Sequence, residues 1–155
     1  MKSDSKYHSV WWFRWYADRC GTYRMSKQFT NLMDLVGKPF EYGGRGPDEY
    51  DCWGLCIEIY KRLGISLPDI NTPDSASLRE TTFLTGKDEM FECLEKPKPF
   101  CFVAFKIRPH IWHAGIVLEN CWHFIHIARK KMVVIERLDN VQWQHKFDKF
   151  YEYKG

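Results

Sequence analysis

No stretch of the chain approaches the ~20 consecutive apolar residues that a membrane-spanning helix requires. The first residues also lack the basic start, apolar core and small-residue cleavage site of an export signal, so synthesis as a cytoplasmic protein is expected. Charge of one sign is equally scarce. With 23 Lys and Arg against 20 Asp and Glu spread along the chain, the formal net charge is +3, and no basic face of the kind that binds nucleic acid is visible. Metal-ligand spacings are missing too: there is no C-x-x-C, H-x-x-x-H or H-E-x-x-H, and Cys52 with Cys56 lacks the second pair that a zinc site needs. Neither a metal nor a cofactor is therefore expected. Internal repeats and low-complexity segments are also absent.

What remains is a chain of 155 residues, 45 % hydrophobic, enough to bury one core without metal or disulfide support. Six cysteines (Cys20, Cys52, Cys56, Cys93, Cys101 and Cys121) are present, and without an export signal they are expected as thiols in a reducing compartment. Residues 1–24 hold an aromatic run from Trp11 to Tyr16 that follows neither the helical period nor strict alternation, and they are set apart as an extension. One catalytic domain is expected over residues 25–155.

Within that domain, Phe29, Leu32, Met33 and Val36 recur at helical spacing, with Ser26 placed to cap the start and Gly37 the end. Residues 37–50 hold four glycines and two prolines, the composition of an irregular loop. A second helix is predicted from Asp51 to Leu63, with Cys52, Leu55, Cys56, Ile59 and Leu63 inward and Gly64 as its stop. Residues 69–98 are mixed and polar, with a short helix expected from Asp88 through Leu94. From there the pattern turns to strands: Cys101 to Ile107, Trp112 to Leu118, Trp122 to Ala128 and Met132 to Leu138. Helices followed by an antiparallel meander make an α+β domain.

The chemistry concentrates at two places. Cys52 falls in the first turn of the second helix, where unpaired N–H groups and the helix dipole favour an anion, so its thiol is the candidate nucleophile. The same N–H groups can hold an oxyanion. Cys56, one turn on, has no such help. A reverse turn centred on Glu119 and Asn120 would pair Leu118 with Cys121 and set His113 directly across from His126, two imidazoles on one sheet face. Gly115, next along that face, is expected to leave room for another element. That is an arrangement for a base and the residue that orients it.

Taken together, GKPFEYGGRGPDEYDCWGLCIEIYKRLGISLPD, HAGIVL and FIHIA resemble the NlpC/p60 superfamily of cell-wall cysteine peptidases, especially its phage-tail-associated versions. The resemblance implies a papain-like α+β fold, with the nucleophile helix packed on an antiparallel β meander. It also implies hydrolysis of stem peptides in bacterial peptidoglycan through a thioester, commonly at the bond from D-γ-glutamate to a diamino acid. By position, Cys52 would be the nucleophile, His113 the general base and His126 its orienting partner, with Tyr42, Arg45, Asp51 and Trp53 lining the substrate. Action at the cell wall and phage-tail proteins as partners are further implications. In place of a tyrosine frequent in the family stands Phe40, with Tyr42 two residues on, and Phe100-Cys101 replace the usual Gly-Asp. An amidase or acyltransferase using the same residues, or a non-catalytic tail or wall-binding domain, is the alternative.

Overall fold

The computed structural model describes residues 31–69, 90–109 and 111–155. The N-terminal extension, Cys20, the Ser26 cap, Phe29 and most of the stretch between the second helix and the first strand lie outside the described residues.

The main helix, α1, spans Cys52–Arg62. Asp51 caps it through Gly54 N at 2.6 Å, and Gly64 follows at φ +80°, so both ends fall where the residue types predict. Leu55, Cys56 and Ile59 form its buried stripe, and Trp53 and Tyr60 widen it.

Among the described residues the sheet has six antiparallel strands: β1 Phe91–Leu94, β2 Phe102–Arg108, β3 Ile111–Val117, β4 His123–Ile127, β5 Val133–Arg137 and β6 Phe147–Tyr153. A four-residue helix, α2, spans Val141–Gln144 before β6. The strand order is β1-β6-β2-β3-β4-β5. The expected meander is its β2 to β5 portion, and the chain then doubles back so that β6 pairs with β2.

Three local expectations are corrected. The segment ending at Gly37 is a single 3-10 turn over Met33–Leu35 among the described residues, with Val36 extended. Its buried pair is Leu32 and Leu35, three residues apart as that tighter turn demands, whereas Met33 and Val36 are 42 % and 40 % exposed. Residues Phe91 to Leu94, expected as helix, are strand instead: Phe91 lies opposite Tyr153 and its ring packs on Phe102, a long-range contact that overrides local preference. Third, the β3–β4 hairpin pairs Ile116 with Ile125 and Val117 with Phe124. The loop is thus two residues longer than counted. Asn120 explains the length: its Oδ1 accepts from both Trp122 N and His123 N, and Cys121 takes a positive φ of 55°.

Side-chain alternation divides the sheet into two buried faces. Helix α1 covers the face made by Phe102, Ala104, Ile116, Ile125 and Ile127. The other face carries Val103, Phe105, Val117, Phe124 and Phe150 and is closed by Trp143 of α2.

The glycine-rich loop lies directly on the first turn of α1. A Cβ added at Gly54 would stand 2.0 Å from Gly44 O, so this position accepts no side chain unless the loop moves. Gly54→Ala should therefore cost about 1–3 kcal/mol through overpacking. Urea denaturation of the variant checks this, and an unchanged midpoint would contradict the loop's docking.

Candidate active site

Cys52 opens α1, half-buried, at the edge of the core that the helix shares with the sheet. The backbone around it is held by the Asp51 carboxylate. One oxygen accepts from Gly54 N at 2.6 Å, and the other accepts from Gly43 N at 3.1 Å and from Arg45 Nη1 at 2.9 Å. The N–H of Trp53, in the same first turn, has no partner among the described residues. That leaves a donor at the helix start where a developing oxyanion could be received.

The four residues expected to line the substrate divide into two kinds. Asp51 and Trp53 are buried: Asp51 is committed to the cap and loop, and Trp53 donates from Nε1 to Pro68 O while stacking on Phe102. Both side chains are engaged within the protein. Tyr42 is 44 % exposed, with Phe40 edge-on to its ring at 5.1 Å and the Arg129 guanidinium over it at 5.2 Å. Arg45 is partly exposed and also binds Asp69 through Nε at 3.0 Å. These two remain open to solvent.

His113 and His126 are brought together, by a different register from the one counted. His113 Nε2 lies 2.8 Å from His126 Nδ1. The slip of two residues keeps every side chain on its face, because the strand period is two, so the imidazoles meet diagonally and not directly across. Gly115 makes room for the neighbouring strand and not for a separate element: an added Cβ would stand 2.9 Å from the Phe124 ring and 3.1 Å from His126 Cβ.

Sequence reasoning missed the rest of this chain of contacts. His126 Nε2 lies 2.5 Å from Glu136 Oε2, which also accepts from Trp143 Nε1 at 2.7 Å, while Asn140 Nδ2 approaches Oε1 at 3.4 Å. A signal for Glu136 existed. Continuing the count through the next hairpin, where His126 pairs with Val134, puts residue 136 on the same face as His126. Trp143 follows only from the fold, since α2 carries it back over the sheet.

The imidazoles are sealed in aromatic surroundings. His113 stacks on Trp143 at 5.3 Å and His126 on Phe124 at 4.6 Å. Burial pushes His113 down to about 3, with His126 and Lys146 adding to the cost of a charge there, and pushes His126 down to about 4. Both rings are thus held neutral.

The thiol and the imidazoles are carried on different faces of the sheet. Cys52 packs with the core under α1, whereas His113 and His126 alternate to the face closed by Trp143. A side-chain hydrogen bond of His113 goes to His126. No disulfide forms among the five described cysteines. Burial raises the thiol pKa of Cys56 well above its ordinary value and that of Cys101 to about 12, so neither is a competing nucleophile. Among the described residues no three metal-binding side chains cluster, and no helix is long and apolar enough to cross a membrane.

The model of the NlpC/P60 family matches residues 37–152, which takes in the loop, α1 and all of the sheet but Tyr153. The chain belongs to the NlpC/P60 family. It is 31 % identical over 117 residues to "Probable endopeptidase NlpC" of Escherichia coli (strain K12), covering 75 % of this chain and 70 % of that protein. Against "Probable endopeptidase p60" of Listeria innocua it is 32 % identical over 85 residues, 55 % of this chain but 16 % of that one. The chain thus spans about a sixth of that much longer relative. Its fold is similar to that of NlpC1 from Trichomonas vaginalis, with a TM-score of 0.57 at 20 % identity over 81 % of this chain and 44 % of that one. The NlpC/p60 domain of peptidoglycan hydrolase SagA gives 0.50 at 16 % identity, over 81 % of this chain and 95 % of that one. An NlpC/P60 domain of papain-like α+β architecture, a helix packed on an antiparallel sheet, is therefore established.

The buried neutral imidazoles have a consequence for stability. The unfolded chain takes up protons at both histidines near pH ~6.5, while the folded state resists until about 4 and about 3. Their contribution is thus fully present above ~6.5 and is lost as the pH falls below it. Urea midpoints should drop between pH 7.5 and 4.5, and His126→Gln, which cannot take up that proton, should flatten the slope. An identical slope in the variant would show that His126 is not held neutral.

Proposed function

We propose that this NlpC/P60 domain is a thiol hydrolase of peptidoglycan stem peptides, with Cys52 as nucleophile, His113 as general base and His126 as its orienting partner. The observation that carries the reading is the placement of Cys52 in the capped first turn of α1, beside an open N–H donor. The relatives' names, two endopeptidases and a peptidoglycan hydrolase, support the substrate class.

In this mechanism His113 takes the Cys52 proton and the sulfur attacks the scissile carbonyl carbon. The oxyanion is received at the helix N-terminus, and the amine departs with the proton returned by His113. Water then hydrolyses the thioester, with the same imidazole as base. The bond from D-γ-glutamate to a diamino acid is the preferred target. Since Nε2 of His113 is engaged by His126, the base nitrogen is Nδ1. Turnover requires Cys52 Sγ to come within reach of that atom, a contact of the kind that often tightens only with substrate bound. Action at the cell wall follows from the substrate, and phage-tail proteins are the partner class that the motifs imply.

A second reading rests on one observation: the imidazoles lie on the sheet face closed by Trp143, whereas Cys52 packs on the core under α1. It makes the chain a wall-binding or assembly domain without turnover.

Digestion of defined muropeptides followed by mass spectrometry separates the readings. The peptidase should release products cut on the carboxyl side of D-glutamate. Cys52→Ala should abolish release with the fold intact, and Cys56→Ser should retain most of it. His113→Ala should lose on the order of 10²- to 10⁴-fold, the range of general-base catalysis. A freed lactyl group would indicate amidase chemistry. Binding to insoluble murein with no product would favour the second reading, and activity surviving in Cys52→Ala would remove the nucleophile assignment.

A further inference from the structure

The polar side chains behind His113 run in a line across three strands: His113 on β3, His126 on β4 and Glu136 on β5, each offset diagonally from the last. The line ends against α2, where Trp143 Nε1 and Asn140 Nδ2 both approach the Glu136 carboxylate. Every contact in it leaves one question open, the direction in which the protons point, because an imidazole nitrogen can donate or accept.

The far end answers that question. An ionised carboxylate only accepts, and an indole N–H only donates. Oε2 of Glu136 therefore receives two donors, Trp143 Nε1–H and His126 Nε2–H. With its proton on Nε2, a neutral His126 has its lone pair on Nδ1, which must accept from His113 Nε2–H. A neutral His113 then carries its lone pair on Nδ1.

We infer that Glu136, held by Trp143 and Asn140, is a positioning residue that sets the tautomers of both histidines and so leaves His113 Nδ1 as the only basic nitrogen of the site. This rests on the proposed hydrolase only in its consequence for rate; the tautomers are a property of the folded chain. Trp143 has two duties. Its indole stacks on His113 while its N–H holds the carboxylate that acts on His113 through His126. A glutamine at 136 would keep the pattern, because two donors converging on one atom force the amide to present its oxygen there. An apolar side chain would leave His126 Nε2–H buried without an acceptor, which favours the opposite tautomer.

Long-range 1H–15N correlation on the full chain labelled at histidine reads the tautomers directly at neutral pH. The expected result is the Nε2–H form at both His113 and His126, unchanged in Glu136→Gln and shifted toward Nδ1–H in Glu136→Met. On muropeptides, Glu136→Met should lower kcat by on the order of 10²- to 10⁴-fold, with little change in KM, because the base itself is mis-set. Glu136→Gln should lose less. An Nδ1–H form at either ring of the unaltered protein overturns the inference, and so does an unchanged pattern in a folded Glu136→Met. If the unaltered protein cleaves no muropeptide, the hydrolase reading fails, and the spectra still decide the role of Glu136.

Discussion

The buried carboxylate of Asp51 joins the two parts of the chain that no regular structure connects. One oxygen caps α1 at Gly54 N, and the other gathers Gly43 N and the Arg45 guanidinium from the glycine-rich loop. A carboxylate taken out of water is costly unless each oxygen is met, and here charge-assisted bonds meet both. The loop can therefore lie flat on the helix at Gly54, against the first turn that carries Cys52. A helix cap is worth about 1 kcal/mol. The larger effect of losing Asp51 would be the Gly43 N–H left without its acceptor and the Arg45 guanidinium held by Asp69 and Gly44 O alone.

A second constraint comes from the sheet. Because successive residues point to opposite faces, whatever α1 covers is separated from whatever alternates the other way. Ala114 and Ile116 look toward the helix, and His113 toward Trp143. The aromatic enclosure on that side keeps the imidazoles dry and neutral and shortens the list of groups that can orient them to one carboxylate. The same enclosure limits access, so the proposed mechanism requires a thiol to approach His113 Nδ1.

Much of this was legible because it is local. The start and end of α1 follow from Asp51 and Gly64, and the thiol in the first turn follows from the cap. The pairing of His113 with His126 survived a wrong register, since a slip of two residues preserves the face. Where pairing partners are distant the reading failed. Phe91 to Leu94 carries no strand period, and its conformation is decided by Tyr153 and Phe102. In β6 apolar and charged residues mix, and the strand is placed by β2.

By itself the sequence determined the helix that presents Cys52 and the common face of the two histidines, because caps, turns and strand alternation act over a few residues. Tertiary structure alone decided the four-residue loop at Asn120, the arrival of Glu136 and Trp143 behind His126, and the division of thiol and imidazoles between two faces of one sheet. These depend on which strands pair and what covers each face. That choice is made by burying aromatic surface from opposite ends of the chain, and no local pattern records it.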